Sequence, residues 1–293
     1  MSIGFCISGQ PRGSIEIIEN HQEFLNRFKA YTFMHLWWDQ SHEDKVIRWH
    51  SSERFPCTDM AKMCIDSYNP INYKIEDYVN FDISFLRSFN YDTWRDLPLK
   101  FYQIFTPWVI YGLKCQAYSV MESTKMCLDN EECSISMRMR SDTVFTDGRA
   151  LDIFNNFHPE EGKIYLQSSM SGGHKYSGEH PSNPCDWFYC GLPKDVYKFS
   201  KTWFDSIDLL YSDGVVHANY AMRKTAELAG LDLVLCDFGV IVNRQLQNED
   251  PDFVHWQKYL DDFDSDTMSI INNIEEWPHW VKYVDFNQFK NLR

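Results

Sequence analysis

Two arginines and an aspartate stand close together at the end of a predicted interior strand. Arg138, Arg140 and Asp142 fall within the run Arg-Met-Arg-Ser-Asp-Thr-Val-Phe, and charges at the end of a buried strand are costly unless they have partners. A diphosphate and its divalent metal would supply those partners, because a carboxylate ligates a hard cation and a guanidinium pairs with phosphate oxygens. An internal salt bridge between arginine and aspartate is the alternative.

A second candidate is the turn that follows the first predicted strand. It consists of Ser-Gly-Gln-Pro-Arg-Gly-Ser at positions 8–14. It lacks both the glycine spacing of a dinucleotide fold and the Gly-Lys-Ser/Thr of a P-loop. An amide side chain and an arginine near a helix N-terminus suit a base or a diphosphate. A turn that simply caps the next helix is the alternative.

A glycine-rich stretch at positions 172–180 contains three ionisable side chains that could act in a site, His174, Glu179 and His180. Its glycines favour a mobile active-site loop. Glu179 and His174 are reserve candidates for a general base, and His180 is a possible metal ligand, although each could be a solvated loop residue. The histidines do not have HExxH spacing, and no Cys/His cluster has the spacing of a zinc site.

Alternating strands and helices must position these residues. Periodicity predicts strands at 3–8, 31–38, 72–75, 134–140, 163–167, 187–190 and 231–242, and helices at 14–28, 107–128, 193–206 and 217–229. This order favours an α/β fold with a mostly parallel sheet. Ligands of such sheets bind at the carboxyl ends of the strands. The sequence therefore predicts a site formed by segments 8–12, 38–39, 140–142 and 167–180.

Composition excludes several classes of partner. The chain has 293 residues and a formal net charge of −14, which disfavours nucleic acid and constitutive binding to an anionic membrane. No apolar run approaches the length of a membrane-spanning helix, and the N-terminus does not resemble a signal peptide. Nine cysteines without a Cys-x-x-Cys pair indicate reduced thiols. We therefore expect a cytoplasmic protein without a transmembrane segment.

Several runs, taken in order, resemble GT-A-type glycosyltransferases. They are ISGQPRG, FMHLWWD, YGLKCQAYSVMESTK, SISMRMRSDTVF and CDWFYCGLPKDVYKF. Within this group, the order of these runs resembles in particular the WavE-like lipopolysaccharide-synthesis proteins and the glycosyltransferases of large algal (chlorella-type) viruses. The resemblance covers roughly residues 3–245. It implies a single GT-A (Rossmann-like) domain over 1–245, with 246–293 as an acidic, aromatic extension that packs on it.

The resemblance also implies roles for individual residues. Asp39 would lie near the base or ribose of a nucleotide. Asp142 matches the metal-binding DxD region, although Arg140-Ser141-Asp142 supplies only the second carboxylate. Arg138 and Arg140 would then supplement Mn²⁺ or Mg²⁺ against the diphosphate. The nucleotide itself would be held by the first turn, through Ser8, Gly9, Gln10 and Arg12.

Together these features predict transfer of a sugar from a nucleoside-diphosphate sugar to a glycan hydroxyl. An inverting transferase needs a base to deprotonate the acceptor, and Asp186 is the leading candidate, with a capping or salt-bridged aspartate as the alternative. UDP is the favoured nucleotide, UDP-xylose is one plausible donor, and a retaining mechanism stays open. If the protein is viral, its place would be the host cytoplasm. The alternatives are a nucleotidyltransferase and a non-catalytic carbohydrate-binding protein.

Overall fold

A computed structural model describes residues 2–9, 11, 15–38, 60–77, 81, 99–146, 148–168, 184–212 and 218–242. The predicted C-terminal extension, 246–293, lies outside these ranges, as does the glycine-rich stretch 172–180. The predicted domain boundary near residue 245 therefore stays a prediction.

The described residues form strands and helices in alternation. The strands are β1 (Ile3–Gly9), β2 (Tyr31–Trp37), β3 (Asn72–Glu76), β4 (Ile135–Arg140), β5 (Thr143–Phe145), β6 (Lys163–Ser168), β7 (Pro184–Gly191), β8 (Asp232–Cys236) and β9 (Val240–Val242). The helices are α1 (Ile15–Phe28), α2 (Met60–Tyr68), α3 (Leu99–Leu128), α4 (Arg149–Asn155), α5 (Pro193–Asp205), α6 (Ile207–Ser212) and α7 (Ala218–Ala229).

Seven of these strands form a central sheet in the order β3-β2-β1-β4-β7-β6-β8. Strands β3, β2, β1 and β4 are parallel, and β6 and β8 point the same way because β7 is antiparallel to both β4 and β6. Strands β5 and β9 form a separate antiparallel pair. The structure thus confirms the predicted α/β fold with a mostly parallel central sheet flanked by helices.

The sheet is covered by helices on both faces. Helices α1, α2 and α4 pack on one face, against residues that include Ile3, Phe5 and Ile7 of β1. Helices α3, α5, α6 and α7 pack on the other face, against residues that include Ile164 of β6 and Tyr189 of β7. Burial on both faces explains why the central strand β1 is continuous in apolar and small residues.

A glycine in β1 permits a close approach of α3. A Cβ atom at Gly4 would lie 2.2 Å from Sγ of Cys127 on α3, 3.1 Å from Sγ of Cys133 and 3.2 Å from Cε2 of Phe33. Real Cβ contacts are not this short, so a larger residue would push α3 away from the strand.

Three features differ from the sequence-based expectation. Helix α3 begins at Leu99, eight residues before the predicted start at Pro107, so the proline lies inside the helix and not in its first turn. The predicted strand 231–242 is two strands, because the chain turns at Gly239, whose φ is +68°. The short elements α2, α4, α6 and β5 were not predicted. None of the helices in the described residues is both long and apolar enough to cross a membrane.

Candidate functional site

The carboxyl ends of β1 and β4 and the beginning of β7 meet at one end of the sheet. Ser8 on β1 lies opposite Arg140 on β4. Since β7 is antiparallel to β4, with Phe188 opposite Met139, the residues just before Phe188 lie near Arg140. The fold therefore gathers six of the predicted site residues: Ser8, Gly9, Arg138, Arg140, Asp142 and Asp186.

Arg138 is a buried cation with incomplete hydrogen bonding. Its side chain has no exposed surface, and Nη1 donates to the backbone carbonyl of Asp186. The guanidinium carbon lies 5.7 Å from the centre of the Tyr189 ring, within range of a cation–π contact. Among the described residues, Nε and Nη2 have no acceptor. Burial lowers the pKa of Arg138, and the nearby carboxylates of Asp186 and Asp142 oppose that effect.

Arg140 and Asp142 form a two-armed ion pair. Nε of Arg140 donates to Oδ1 of Asp142 at 2.8 Å, and Nη2 donates to Oδ2 at 2.5 Å. Burial acts to lower the pKa of Arg140, but Asp142 and Asp186 outweigh it and raise the pKa above its ordinary value. The two side chains keep 18% and 13% of their surface exposed, so solvent reaches the pair. The internal salt bridge that the sequence offered as an alternative exists here.

An irregularity in β7 turns Asp186 towards α3. Strict alternation would place Trp187 and Phe188 on opposite faces, yet both pack on the side of α1, α2 and α4. The pairing of β6 with β7 shifts register in the same region, as it does at a β-bulge. The Asp186 carboxylate accepts a hydrogen bond from Nε2 of Gln116 on α3 at 3.1 Å, and the residue is only 8% exposed.

The end of β1 combines an unpaired hydroxyl with an open backbone turn. Oγ of Ser8 is buried and has no hydrogen-bond partner among the described residues. Gly9 has φ of +108°, and a Cβ atom there would meet no atom of the described residues within 4 Å. A positive φ of this kind strongly favours glycine, and the missing side chain leaves room for a ligand beside the backbone. The amide of Gly9 donates to Oγ of Ser119 at 2.7 Å.

Six other predicted site residues lie outside the described ranges, and their roles stay predictions. They are Gln10, Arg12, Asp39, His174, Glu179 and His180. Two residues of α3 that contact the site were not predicted from the sequence: Gln116, which contacts Asp186, and Ser119, which contacts Gly9. In the sequence they are only two polar residues three positions apart on a long predicted helix, and such a pattern does not by itself indicate a site.

A divalent metal is not accommodated by the described residues alone. Within them, no group of three or more His, Cys, Asp or Glu side chains could hold an ion. Both carboxylate oxygens of Asp142 already accept hydrogen bonds from Arg140. The predicted use of Mn²⁺ or Mg²⁺ at Asp142 and His180 therefore stays a prediction. In the structure, the negative charge of Asp142 is balanced by Arg140.

A separate open cavity lies at the opposite end of the strands. Its volume is about 610 Å³, and it is lined by residues from the end of α1 and the starts of β2 and β3, among them Lys29, Tyr31 and Ile71. None of the predicted site residues within the described ranges lines it. The predicted chemistry and this cavity are therefore at different places in the fold.

Comparisons with known proteins add little to this geometry. No protein-family model matches the chain, and no curated protein sequence matches it. One matching solved structure is described as a glycosyltransferase involved in the glycosylation of the major capsid of PBCV-1. The match has 8% sequence identity and a TM-score of 0.40, and it covers 86% of this chain and 100% of that one. A likeness at this level carries no argument about fold or activity, and no comparison bears on the WavE-like part of the resemblance.

Proposed function

We propose that the protein transfers a sugar from a nucleoside-diphosphate sugar to a hydroxyl group of a glycan. The observation that carries this proposal is the buried Arg138, which has two nitrogen atoms without an acceptor among the described residues. Removal of a guanidinium from water is costly unless the charge is paired and hydrogen-bonded. An anionic ligand at this end of the sheet would supply the missing acceptors.

A diphosphate suits the arrangement around Arg138. Ser8 on the adjoining strand has a hydroxyl group without a partner among the described residues, and the Gly9 turn has open space beside its backbone. Arg140 is partly exposed and has further N–H donors beyond the two that bind Asp142. Two guanidinium groups at one diphosphate would stabilise the negative charge that develops on the leaving group.

Asp186 is the proposed general base. Gln116 donates to Oδ2 of its carboxylate, which fixes the orientation of the group. In an inverting transfer, the Asp186 carboxylate would take the proton of the acceptor hydroxyl while the hydroxyl oxygen attacks the anomeric carbon. The bond from that carbon to the nucleoside diphosphate would break, and the nucleoside diphosphate would leave. No step of this proposal depends on a metal, although Mn²⁺ or Mg²⁺ stays a prediction for the complete site. The sequence resemblance favours UDP as the nucleotide.

Binding of nucleotides to the wild-type protein and to two matched variants tests the proposal. Arg138→Met removes the buried charge, and Arg27→Met removes an exposed arginine of α1 as the control. We expect one nucleoside diphosphate, UDP or GDP, and not the monophosphate CMP, to raise the melting temperature of the wild type and of Arg27→Met. Arg138→Met should bind it at least about tenfold more weakly, because charge-assisted hydrogen bonds are lost. Each measurement is made with and without Mn²⁺.

Three results would contradict the proposal. A protein that no nucleotide stabilises, but that binds glycans on an array, would be a carbohydrate-binding protein. Consumption of a nucleoside triphosphate with release of pyrophosphate would indicate a nucleotidyltransferase. Equal nucleotide affinity in wild type and Arg138→Met would show that the buried guanidinium does not face the ligand.

A further inference from the structure

One stripe of α3 contacts three different strands of the sheet. Gln116, Ser119 and Glu122 are spaced at i, i+3 and i+6, so they lie along one face of the helix. Gln116 binds Asp186 of β7 and Ser119 binds Gly9 of β1. Glu122 binds Lys74 of β3 at 3.2 Å.

Ser119 is part of a buried hydrogen-bonded chain. Its hydroxyl lies 2.8 Å from Nδ1 of His35, and Nε2 of His35 lies 2.7 Å from Oε2 of Glu76. Glu76 pairs in turn with Lys74 at 2.8 Å. Ser119 and His35 have no exposed surface. The chain therefore links the edge strand β3 to the turn at the end of β1.

The direction of these hydrogen bonds follows from the charge states. Burial acts to raise the pKa of Glu76, but Lys74 and His35 outweigh it and lower the pKa. Burial also lowers the pKa of His35, against the opposing effect of Glu76 and Glu122. Near neutral pH, Nε2–H of His35 thus donates to the Glu76 carboxylate, and Nδ1 accepts from the Ser119 hydroxyl. The Ser119 oxygen remains available to accept the Gly9 amide.

These three residue types also occur in hydrolytic triads, but the geometry excludes that role for Ser119. A nucleophilic hydroxyl must be reached by a substrate, whereas Ser119 is fully buried and its oxygen already accepts the amide of Gly9. The backbone carbonyl of His35, 3.0 Å from the hydroxyl, competes with Nδ1 of His35 for its single proton. The chain therefore holds backbone in place.

We propose that Ser119 and Gln116 are positioning residues, which hold the Gly9 turn and the Asp186 carboxylate in the geometry that the ligand needs. For Gln116 the proposal rests on the proposed function, because it assigns Asp186 as the base. For Ser119 it does not, because the hydrogen bond to Gly9 can be measured without a ligand. A turn that is already ordered loses less conformational entropy on binding.

The test compares Ser119→Ala with Ser123→Ala, which lies one turn further along α3. Ser123 is equally buried, but its hydroxyl donates only to Val120 of the same helix among the described residues. We expect amide hydrogen exchange at Gly9 to become about tenfold faster in Ser119→Ala, as the loss of one hydrogen bond implies, and to stay unchanged in Ser123→Ala. Nucleotide affinity should fall by a similar factor in Ser119→Ala alone. Unchanged Gly9 exchange in Ser119→Ala would overturn the role of Ser119, whether or not the wild type binds a nucleotide.

Gln116→Met is the corresponding test for Asp186. It keeps the length of the side chain and removes the donor, so kcat should fall by about tenfold while the KM for the donor changes little. A fall in kcat no larger than that of Ser123→Ala would overturn the role of Gln116. Failure of the proposed function is distinguishable from both results, because the wild type would then show no transfer at all, while Gly9 exchange would still respond to Ser119→Ala.

Discussion

Arg138 and Arg140 stand two residues apart on β4, yet their charges are compensated differently. Arg140 has both arms of its guanidinium on Asp142. Arg138 has a single backbone carbonyl as its hydrogen-bond acceptor among the described residues. A protein that needed these arginines only for stability would gain from a partner for both. The imbalance is therefore the feature of the site that points most directly to an anionic ligand.

His21 on α1 connects the helix to the turn that contains Asp142. Nε2 lies 2.6 Å from the carbonyl oxygen of Thr143, and Nδ1 lies 2.7 Å from the Tyr68 hydroxyl. Because a carbonyl can only accept, Nε2 carries the proton and Nδ1 accepts from Tyr68. Burial lowers the pKa of His21 to about 4, although Thr143 and Asp142 oppose the shift. His21 is thus neutral at neutral pH.

This depressed pKa predicts acid destabilisation. In the unfolded chain His21 becomes protonated as the pH falls below about 6.5, whereas in the folded protein it stays neutral down to about pH 4. The free energy of unfolding therefore decreases as the pH falls across this window. The loss between pH 7 and pH 5 should be about 2 kcal/mol from His21 alone. His35 acts in the same direction.

Urea unfolding at both pH values measures the effect. His21→Gln should reduce the difference between the two pH values by about 2 kcal/mol, while His158→Gln, at an exposed histidine, should leave it as in the wild type. A difference that is equally large in His21→Gln and in the wild type would show that other groups cause the acid destabilisation.

Elements rather than single residues set the distance between α3 and the site. Trp37 of β2 donates from Nε1 to the carbonyl of Cys115 at 3.1 Å, one residue before Gln116. At the other end of α3, Cys127 packs against Gly4 of β1. The helix is therefore fixed to the sheet on both sides of its polar stripe.

Gly4→Ala should disturb this packing. The new Cβ atom would lie 2.2 Å from Sγ of Cys127, and overpacking of this kind costs about 1–3 kcal/mol. Gly148→Ala is the control, because no atom of the described residues lies within 4 Å of its Cβ position and its φ of −69° suits alanine. Thermal unfolding should show a lower melting temperature for Gly4→Ala only. If the clash is the cause, the double variant with Cys127→Ala recovers part of the loss; no recovery would assign the cost to other contacts.

The elements were largely predictable from the sequence, and the site was predictable in part. Alternation along β4 correctly predicted Arg138 and Arg140 at the end of a strand. Because ligands of parallel sheets bind at the carboxyl ends of the strands, Ser8 and Asp142 were correctly predicted to lie near them. The orientation of Asp186 was not predictable, because it depends on the irregular pairing of β7 with β6. The role of Ser119 was hidden for a similar reason: its partners Gly9, His35 and Glu76 are distant in sequence and meet only in the folded sheet.

At the scale of the described molecule, aromatic side chains serve mainly as core. Phe24, Phe154 and Phe238 join one layer of helices to the sheet, and Tyr118 stacks on Trp37 in the other. The large apolar side chains that are exposed in the described residues include one aromatic residue, Tyr73. The described part of the chain therefore uses its aromatic side chains mainly for core packing.

The overall charge of the molecule opposes binding of the diphosphate that we propose for its site. A net charge of −14 repels a diphosphate at long range, and salt screens this repulsion, whereas the contact with buried Arg138 is screened much less. Nucleotide affinity should therefore change by less than about threefold between about 20 and about 200 mM NaCl. Titration calorimetry on the wild type measures this, with Arg27→Met as the control for exposed charge. A loss of tenfold or more would mean that exposed cations, and not the buried guanidinium, provide most of the attraction.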